Sequence, residues 1–501
     1  VNDQDSQRRS FTSRTPASSE PEHVRYRRGF VTRHQVSGWR FVMRRIASGV
    51  ALHDARMLVD PLRTQSRAVA VGALLAITGL VGSFVFSLIR PNSHPGNDIV
   101  LADRSTSALY VHLGDRLHPL LNLTSGRLIA GSAVNPTMVR STELDQFVRG
   151  NLVGIPGAPN RVVQNSTRDS DWTVCDGREG TTVIAGPPEM SNGRATDLPP
   201  GGGILAVAAP DNTWLLWDGR RSPINLNDRA VTTALGLDMV APPIAIDIGL
   251  FNLIPEAPAL TTPVIPEAGS QPRFELPVPA PVGAVVTAYA PDSTSLYYAV
   301  LPEGLQPVSR VLATMLRNVD SYGLTQPPRL SADEVARMPV SEAIDTSAYP
   351  AQQVNLTNPE NAPVTCARWT WQQEASIPTL TLLSGSSLPL TDSSQTVELV
   401  SGGPTGVAHQ VAMPPGSGYF VATTAGQFWL SDTGVRYGIA ADDPTLDPAA
   451  ALGLEAPPLP IAPAILSLFA PGPTLSRADA LVAHDGLAPG PQPARRVQGH
   501  P

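Results

Sequence analysis

Two cysteines, Cys175 and Cys366, are the residues of this chain best suited to covalent chemistry, and they are the only ones of their type. In an oxidising compartment such a pair forms a disulfide. The alternative is two buried free thiols. A bond between them would close a loop of about 190 residues and stabilise the fold by roughly 4–5 kcal/mol through chain entropy. Other chemistry finds little support. The sequence contains no lysine, which excludes Schiff-base catalysis and the phosphate-gripping lysine of a nucleotide-binding loop. Gly201, Gly202 and Gly203 follow Pro199 and Pro200 with no helix cap behind them, so they do not read as a phosphate cradle. There is no C-x-x-C, H-E-x-x-H or G-x-S-x-G pattern. His118 beside Pro119 reads as a packed strand-end residue, Ser386 and Ser417 as turn residues, and His484-Asp485 as a solvated pair. No catalytic, cofactor-binding or metal-binding residue is expected, and no cofactor.

The elements that position the cysteines begin with a membrane segment. Residues 68–89, from Ala68 to Ile89, carry no charge and are bracketed by Arg67 and Arg90. A hydrocarbon core of about 30 Å takes about 20 apolar helical residues to cross. The run lies too far from the N-terminus, and is too long, for a cleavable signal peptide. Residues 1–67 hold thirteen arginines against six acidic residues, a balance of +7. The whole chain is −7, so the remainder is −14. Basic flanks stay cytoplasmic, which places the N-terminus inside and residues 90–501, with both cysteines, in the periplasm. The acidic external part argues against nucleic acid as a partner.

Within the cytoplasmic segment, residues 1–30 are polar and rich in Arg and Ser and read as disordered. A helix is expected from Ser37, its N-cap. Trp39, Val42, Met43, Ile46 and Val50 then recur at helical spacing as an apolar stripe. Two uses fit it: a helix lying on the anionic inner leaflet, or a docking helix for a cytoplasmic partner.

Beyond the membrane, 51 prolines in the chain and few charges point to short strands and many turns. An aromatic strand, a tight turn and a second apolar strand occur four times. The first strands are Ser107-Ala-Leu-Tyr-Val-His-Leu-Gly-Asp115, Thr213-Trp-Leu-Leu-Trp-Asp-Gly219, Ser295-Leu-Tyr-Tyr-Ala-Val-Leu-Pro-Glu-Gly304 and Gln427-Phe-Trp-Leu-Ser-Asp-Thr-Gly434. Their partners span 117–123, 222–226, 305–308 and 435–439. Gly beside an acidic residue between apolar runs is a hairpin signal. Two units share a tail: Ala234-Leu-Gly-Leu-Asp238 and Ala451-Leu-Gly-Leu-Glu455, each leading to a Pro-rich exit. Cys175 lies between the first and second units and Cys366 between the third and fourth. Pairing them implies a central module with two units inserted between its halves.

These residues resemble EccB, the one-pass membrane core component of mycobacterial type VII (ESX) secretion systems. The resemblance is carried by Gln35-Val-Ser-Gly-Trp-Arg-Phe41, Asp60-Pro-Leu-Arg-Thr-Gln-Ser66, Ala108-Leu-Tyr-Val111 and Gly154-Ile-Pro-Gly-Ala-Pro159. Trp172-Thr-Val-Cys-Asp176, Thr365-Cys366 with Trp369, and Gly472-Pro-Thr-Leu-Ser-Arg-Ala-Asp479 extend it towards the C-terminus. It implies an inner-membrane complex with EccC-, EccD- and EccE-like subunits, EccC being the motor, and self-association through the external part. Members of the family are often labelled ATPases, a label for which these residues give no support.

The expected fold is therefore α+β: one transmembrane helix and an external domain of four hairpin-helix repeats around a central disulfide-bonded mixed module. The expected segments are 1–67 (cytoplasmic), 68–89 (membrane), 90–160 (first repeat), 161–200 (first half of the module), 201–270 and 271–335 (second and third repeats), 336–410 (second half), 411–486 (fourth repeat) and 487–501 (loose tail). The expected function is a structural core subunit of a protein-secretion complex in contact with inner-membrane lipid. Two other readings are a nucleotide hydrolase and a module that grips cell-envelope polymer.

Overall fold

The cytoplasmic helix starts earlier than its sequence pattern suggests. In the computed structural model, which describes residues 32–53, 62–89, 98–191, 193–209, 212–237, 242–403 and 406–487, it runs Arg33–Leu52. Thr32 is the N-cap, and the Gln35 side chain accepts from the Thr32 N–H at 3.0 Å, one arm of a capping box. Ser37 is thus not the cap. It sits inside the helix and donates to the His34 carbonyl at 2.9 Å. A second helix, Leu62–Ile89, contains the apolar run from Ala68 and continues it on the N-terminal side. Its stretch Ser66–Phe86 is long and apolar enough to cross a membrane. Thr78, the polar residue in mid-run, donates back to the Leu74 carbonyl at 2.8 Å, which suits a helix in lipid. The expectations for residues 1–30, for Arg90 and for the tail beyond Leu487 lie outside the described residues.

Residues 93–501 form the second unit of the chain. Its first sheet opens with three antiparallel strands, Val100–Asp103, Leu109–Leu113 and Arg116–Leu120. Helix Leu123–Ala130 follows. The Asn122 side chain caps it by accepting from the Ser125 N–H, and it ends on Gly131 at φ 70°, where a β-carbon would be strained. The chain then returns as Thr137–Val139, parallel to the first strand. After a short helix, Ser141–Leu144, it returns again as Val148–Arg149, parallel to the third.

The same succession recurs around Trp214, Tyr297 and Trp429. The meanders are Gly202–Ala209, Asn212–Trp217 and Arg220–Pro223; Val285–Tyr289, Ser295–Leu301 and Gly304–Val308; and Gly418–Thr423, Gly426–Ser431 and Val435–Ile439. Their helices are Arg229–Leu235, Arg310–Val319 and Pro448–Leu452, capped by Asp228, Ser309 and Asp447. The sequence pattern showed only the last two strands of each meander. Of the strands before them, Gly202–Ala209 carries no aromatic residue, whereas Gly418–Thr423 holds Tyr419 and Phe420 but has no acidic residue beside the glycine of its turn. One partner strand also shifts, starting at Arg220 rather than Ser222, because Asp218 and Gly219 both take positive φ and turn the chain sooner.

Between these sheets lies a seven-stranded one whose centre is Gly180–Ala185, Ser170–Gly177, Val364–Trp371 and Thr379–Gly385 in that order. Gln410–Ala412 extends it in parallel to Gly180–Ala185. Its inner face joins a core that includes Trp172, Leu216, Leu250, Tyr419, Leu430 and Phe469. Residues from three sheets thus exclude water together, which gives hydrophobic burial across the unit rather than within each sheet alone.

Candidate functional sites

Cys175 and Cys366 stand directly opposite one another on neighbouring antiparallel strands. They form a disulfide with Cα atoms 4.0 Å apart across a sequence separation of 191. Both are fully buried, among Ile184, Val364 and Leu383. The bond therefore lies in dry packing, away from solvent reductant.

The residue after Cys175 carries a charge into the same sheet. Asp176 is buried. Its carboxylate accepts from the Thr181 hydroxyl and from the Asp247 backbone N–H, both at 2.6 Å. Asp247 caps the short helix Ile248–Leu253, so Asp176 ties the disulfide sheet to the Trp214 region. Burial pushes its pKa up to about 6, against the pull of those two hydrogen bonds, with the Asp247 charge adding to the rise and His409 opposing it. Thr181 also donates its N–H to His409 Nδ1 at 3.0 Å. Sequence reasoning quoted Asp176 in a motif but gave it no role. The available signal was an acidic residue in a strand otherwise patterned for burial.

The stripe on Arg33–Leu52 is solvent-facing. Trp39 is 66% exposed and Val50 74%, with Val42, Met43 and Ile46 close to half. Val36 and Phe41, which the stripe omitted, are exposed as well. The helix holds no acidic residue and no buried one. Arg40 and Arg44 lie off the stripe by helical geometry.

The remaining candidates are structural. His118 Nδ1 pairs with the Asn151 carbonyl at 2.9 Å. Gly203 is the second residue of its strand, where a β-carbon would come within 2.4 Å of Val354, so close packing explains it without any phosphate. Ser386 and Ser417 donate to the Gly193 and Pro414 carbonyls. The pair His484-Asp485 is not merely solvated. His484 Nε2 pairs with the Gly154 carbonyl at 2.9 Å, and Asp485 accepts from Asn151 at 3.2 Å, because strand Ala483–His484 pairs with Leu152–Val153.

Comparison with known proteins is consistent over the whole length. The family described as type VII secretion system ESX-1, transport TM domain B, matches residues 28–489. The ESX-3 secretion system ATPase EccB3 of Mycolicibacterium smegmatis is 60% identical, over 97% of each chain. The protein of that name from Mycobacterium tuberculosis is 59% identical, over 99% of this chain and 97% of its own. Among solved structures, an intact ESX-5 inner membrane complex contains a chain matched with a TM-score of 0.75 at 34% identity, covering 94% of this chain and 99% of that one. The EccB3 dimer from the ESX-3 core complex matches with a TM-score of 0.69 at 53% identity, covering 77% and 100%. This chain belongs to the EccB family of type VII secretion proteins.

Proposed function

We infer that this chain is a membrane-anchored structural core subunit of a type VII secretion complex. The observation that carries this is the full-length likeness to a subunit of a solved ESX-5 inner membrane complex. It sits in the inner membrane through residues 68–89, with its N-terminus cytoplasmic and residues from 90 in the periplasm. It associates with other core subunits and with further copies of itself. The external part reads as four repeats of one meander-helix-return unit, set around the disulfide sheet. The word ATPase in the relatives' names finds no lysine in this chain with which to grip a phosphate.

The helix Arg33–Leu52 is the docking element for a cytoplasmic motor, EccC-like, with EccD- and EccE-like subunits nearby. Its exposed stripe supports this reading, since large apolar groups at an interface centre cost about 2 kcal/mol or more when truncated. Trp39→Ala with Ile46→Ala should leave membrane insertion and the disulfide intact, yet release other subunits during detergent purification. Arg40→Ala with Arg44→Ala should mainly weaken attraction to anionic lipid, by about 1 kcal/mol per charge. Release by the arginine pair alone would show the helix to be a membrane-surface element instead.

A further inference from the structure

A cleft of about 730 Å³ opens beside the disulfide sheet, lined by residues of the hairpin Ser170–Gly177 and Gly180–Ala185, of the chain flanking it, and of the segments 389–395 and 412–419. That volume is within the usual range for ligand sites, about 300–1,000 Å³. Its apolar lining includes Ile184, Leu390, Ala412 and Met413. Its charged lining is Asp169, Asp171 and Glu189, and no arginine or histidine lines it.

These three carboxylates differ. Asp171 is neutralised by Arg368, whose Nε and Nη2 lie 3.0 and 2.6 Å from its two oxygens. The Asp169 carboxylate accepts a backbone N–H, from Gln373 at 3.2 Å. Glu189 accepts from the Ser191 N–H at 3.2 Å. Hydrogen bonds from Ser191, with Arg194 near by, hold Glu189 below the usual carboxylate range, so it is ionised at neutral pH. Arg194 stands 4.0 Å from Glu189 and 2.5 Å from Asp392, so it is shared with a second carboxylate and compensates Glu189 only in part. Pro187, Pro389, Pro414 and Pro415 also line the cleft, and proline supplies no backbone donor. Asn165, Thr167, Ser393 and Gln395 in the lining both donate and accept, and the carboxylates, which only accept, tip it towards acceptors.

A ligand with an aliphatic stem and a donor-rich cationic head matches this arrangement, because the stem can lie on the apolar lining while the head meets the two carboxylates. A sugar matches it less well. The one aromatic in the lining, Tyr419, is 6% exposed and packed edge-on against Trp172 at 5.0 Å, which leaves no ring face for stacking. We propose that this cleft docks an extended, cationic peptide segment of a partner protein. The proposal stands on the cleft alone and does not rest on the secretion reading.

The test uses the full-length protein in detergent micelles. A fluorescein-labelled hexapeptide, Gly-Arg-Pro-Ala-Arg-Gly, is titrated by anisotropy against its counterpart with glutamate in place of both arginines. The arginine peptide should bind and weaken as salt rises, whereas the glutamate peptide should not bind. Asp169→Asn with Glu189→Gln should reduce affinity about tenfold or more, in the range seen for charged interface pairs. Thr391→Arg places a guanidinium on the exposed rim of the cleft and should block the peptide without touching the core. Equal binding to parent and both variants overturns the proposal. So does equal binding of the two peptides, no binding of the arginine peptide up to about 1 mM, or preference for an N-acetylglucosamine tetrasaccharide over it.

Discussion

The first and last sheets of the external unit are fused, whereas the sheet around Tyr297 stands apart. Val111 and Leu128 share one core with Phe420, Trp429, Leu452 and Leu475. Trp429 Nε1 donates to the Val163 carbonyl at 2.7 Å, and Arg127 to the Leu452 carbonyl at 3.3 Å. Strand Ala483–His484 completes the sheet that begins at Val100. The Tyr297 sheet instead buries its own residues, including Val285, Leu301 and Leu312, in cores drawn from 265–349. It meets its neighbour mainly through Val311 and Met315, which pack with Val231 and Leu235. The ends of the unit thus hold each other shut across some 300 residues, while the Tyr297 sheet draws most of its burial from its own segment. Local opening follows the distribution of buried contacts.

The disulfide sharpens the contrast, because the loop it closes contains the Trp214 and Tyr297 sheets and excludes the fused pair. Cys175→Ala with Cys366→Ala should cost about 4–5 kcal/mol on chain-entropy grounds. Hydrogen exchange should rise most between residues 202 and 356 and least in 100–155 and 418–480. A uniform rise would mean that the two regions unfold as one.

Cavities in the two regions should have different reach. Trp429→Ala removes a buried ring and the donor to Val163, and should cost about 3–5 kcal/mol with loss of protection at both ends of the unit. Met315→Ala should cost about 2–4 kcal/mol and loosen only the Tyr297 and Trp214 sheets. Exchange mapped by mass spectrometry distinguishes them, and a Met315 variant that loosens Val111 and Leu128 would break the comparison.

What could be read from the sequence follows the same divide. Local signals were legible. The turn residues Gly114, Gly219 and Gly434 take the positive φ that hairpins ask of them, and the apolar run from Ala68 lies within one helix. Contacts that depend on distant partners were not. Two-residue strands such as Ala483–His484 and Leu152–Val153 carry no period to detect, and their pairing makes a structural residue of His484. The early helix start was in principle visible, since Thr32 and Gln35 have capping-box spacing. The polar links of Asp176 and the acceptor-weighted cleft required the sheet order, which brings 170–185, 364–371 and 410–412 side by side.

The smallest expected effects contrast two aspartates, one in the disulfide sheet and one in the fused pair, whose pH dependences have opposite sign. Asp176, in the disulfide sheet, has a folded pKa of about 6 against 3.8 ordinarily. Its folded state binds the extra proton between those values, so stability falls as pH rises through the window and the penalty is complete above it. A shift of that size corresponds to about 3 kcal/mol at most. Asp176→Asn, whose amide can still accept from Asp247 and donate to Thr181, should raise the melting temperature at neutral pH and change little near pH 3.8. Asp103, in the fused sheet, accepts from the Ser105 hydroxyl and N–H and from the Ser141 hydroxyl. Those bonds, Ser105 first, lower its pKa to about 2. Its contribution is present above 3.8 and is lost as pH falls towards 2. Asp103→Asn should therefore lower the melting temperature at neutral pH, and the gap to the parent should close in acid. Melting curves of Asp176→Asn at about pH 4 and about pH 7, and of Asp103→Asn at about pH 2 and about pH 7, decide the matter. A neutral-pH loss for Asp176→Asn would mean that its two hydrogen bonds outweigh the burial of its charge, and that this carboxylate holds the disulfide sheet to the Trp214 region rather than straining it.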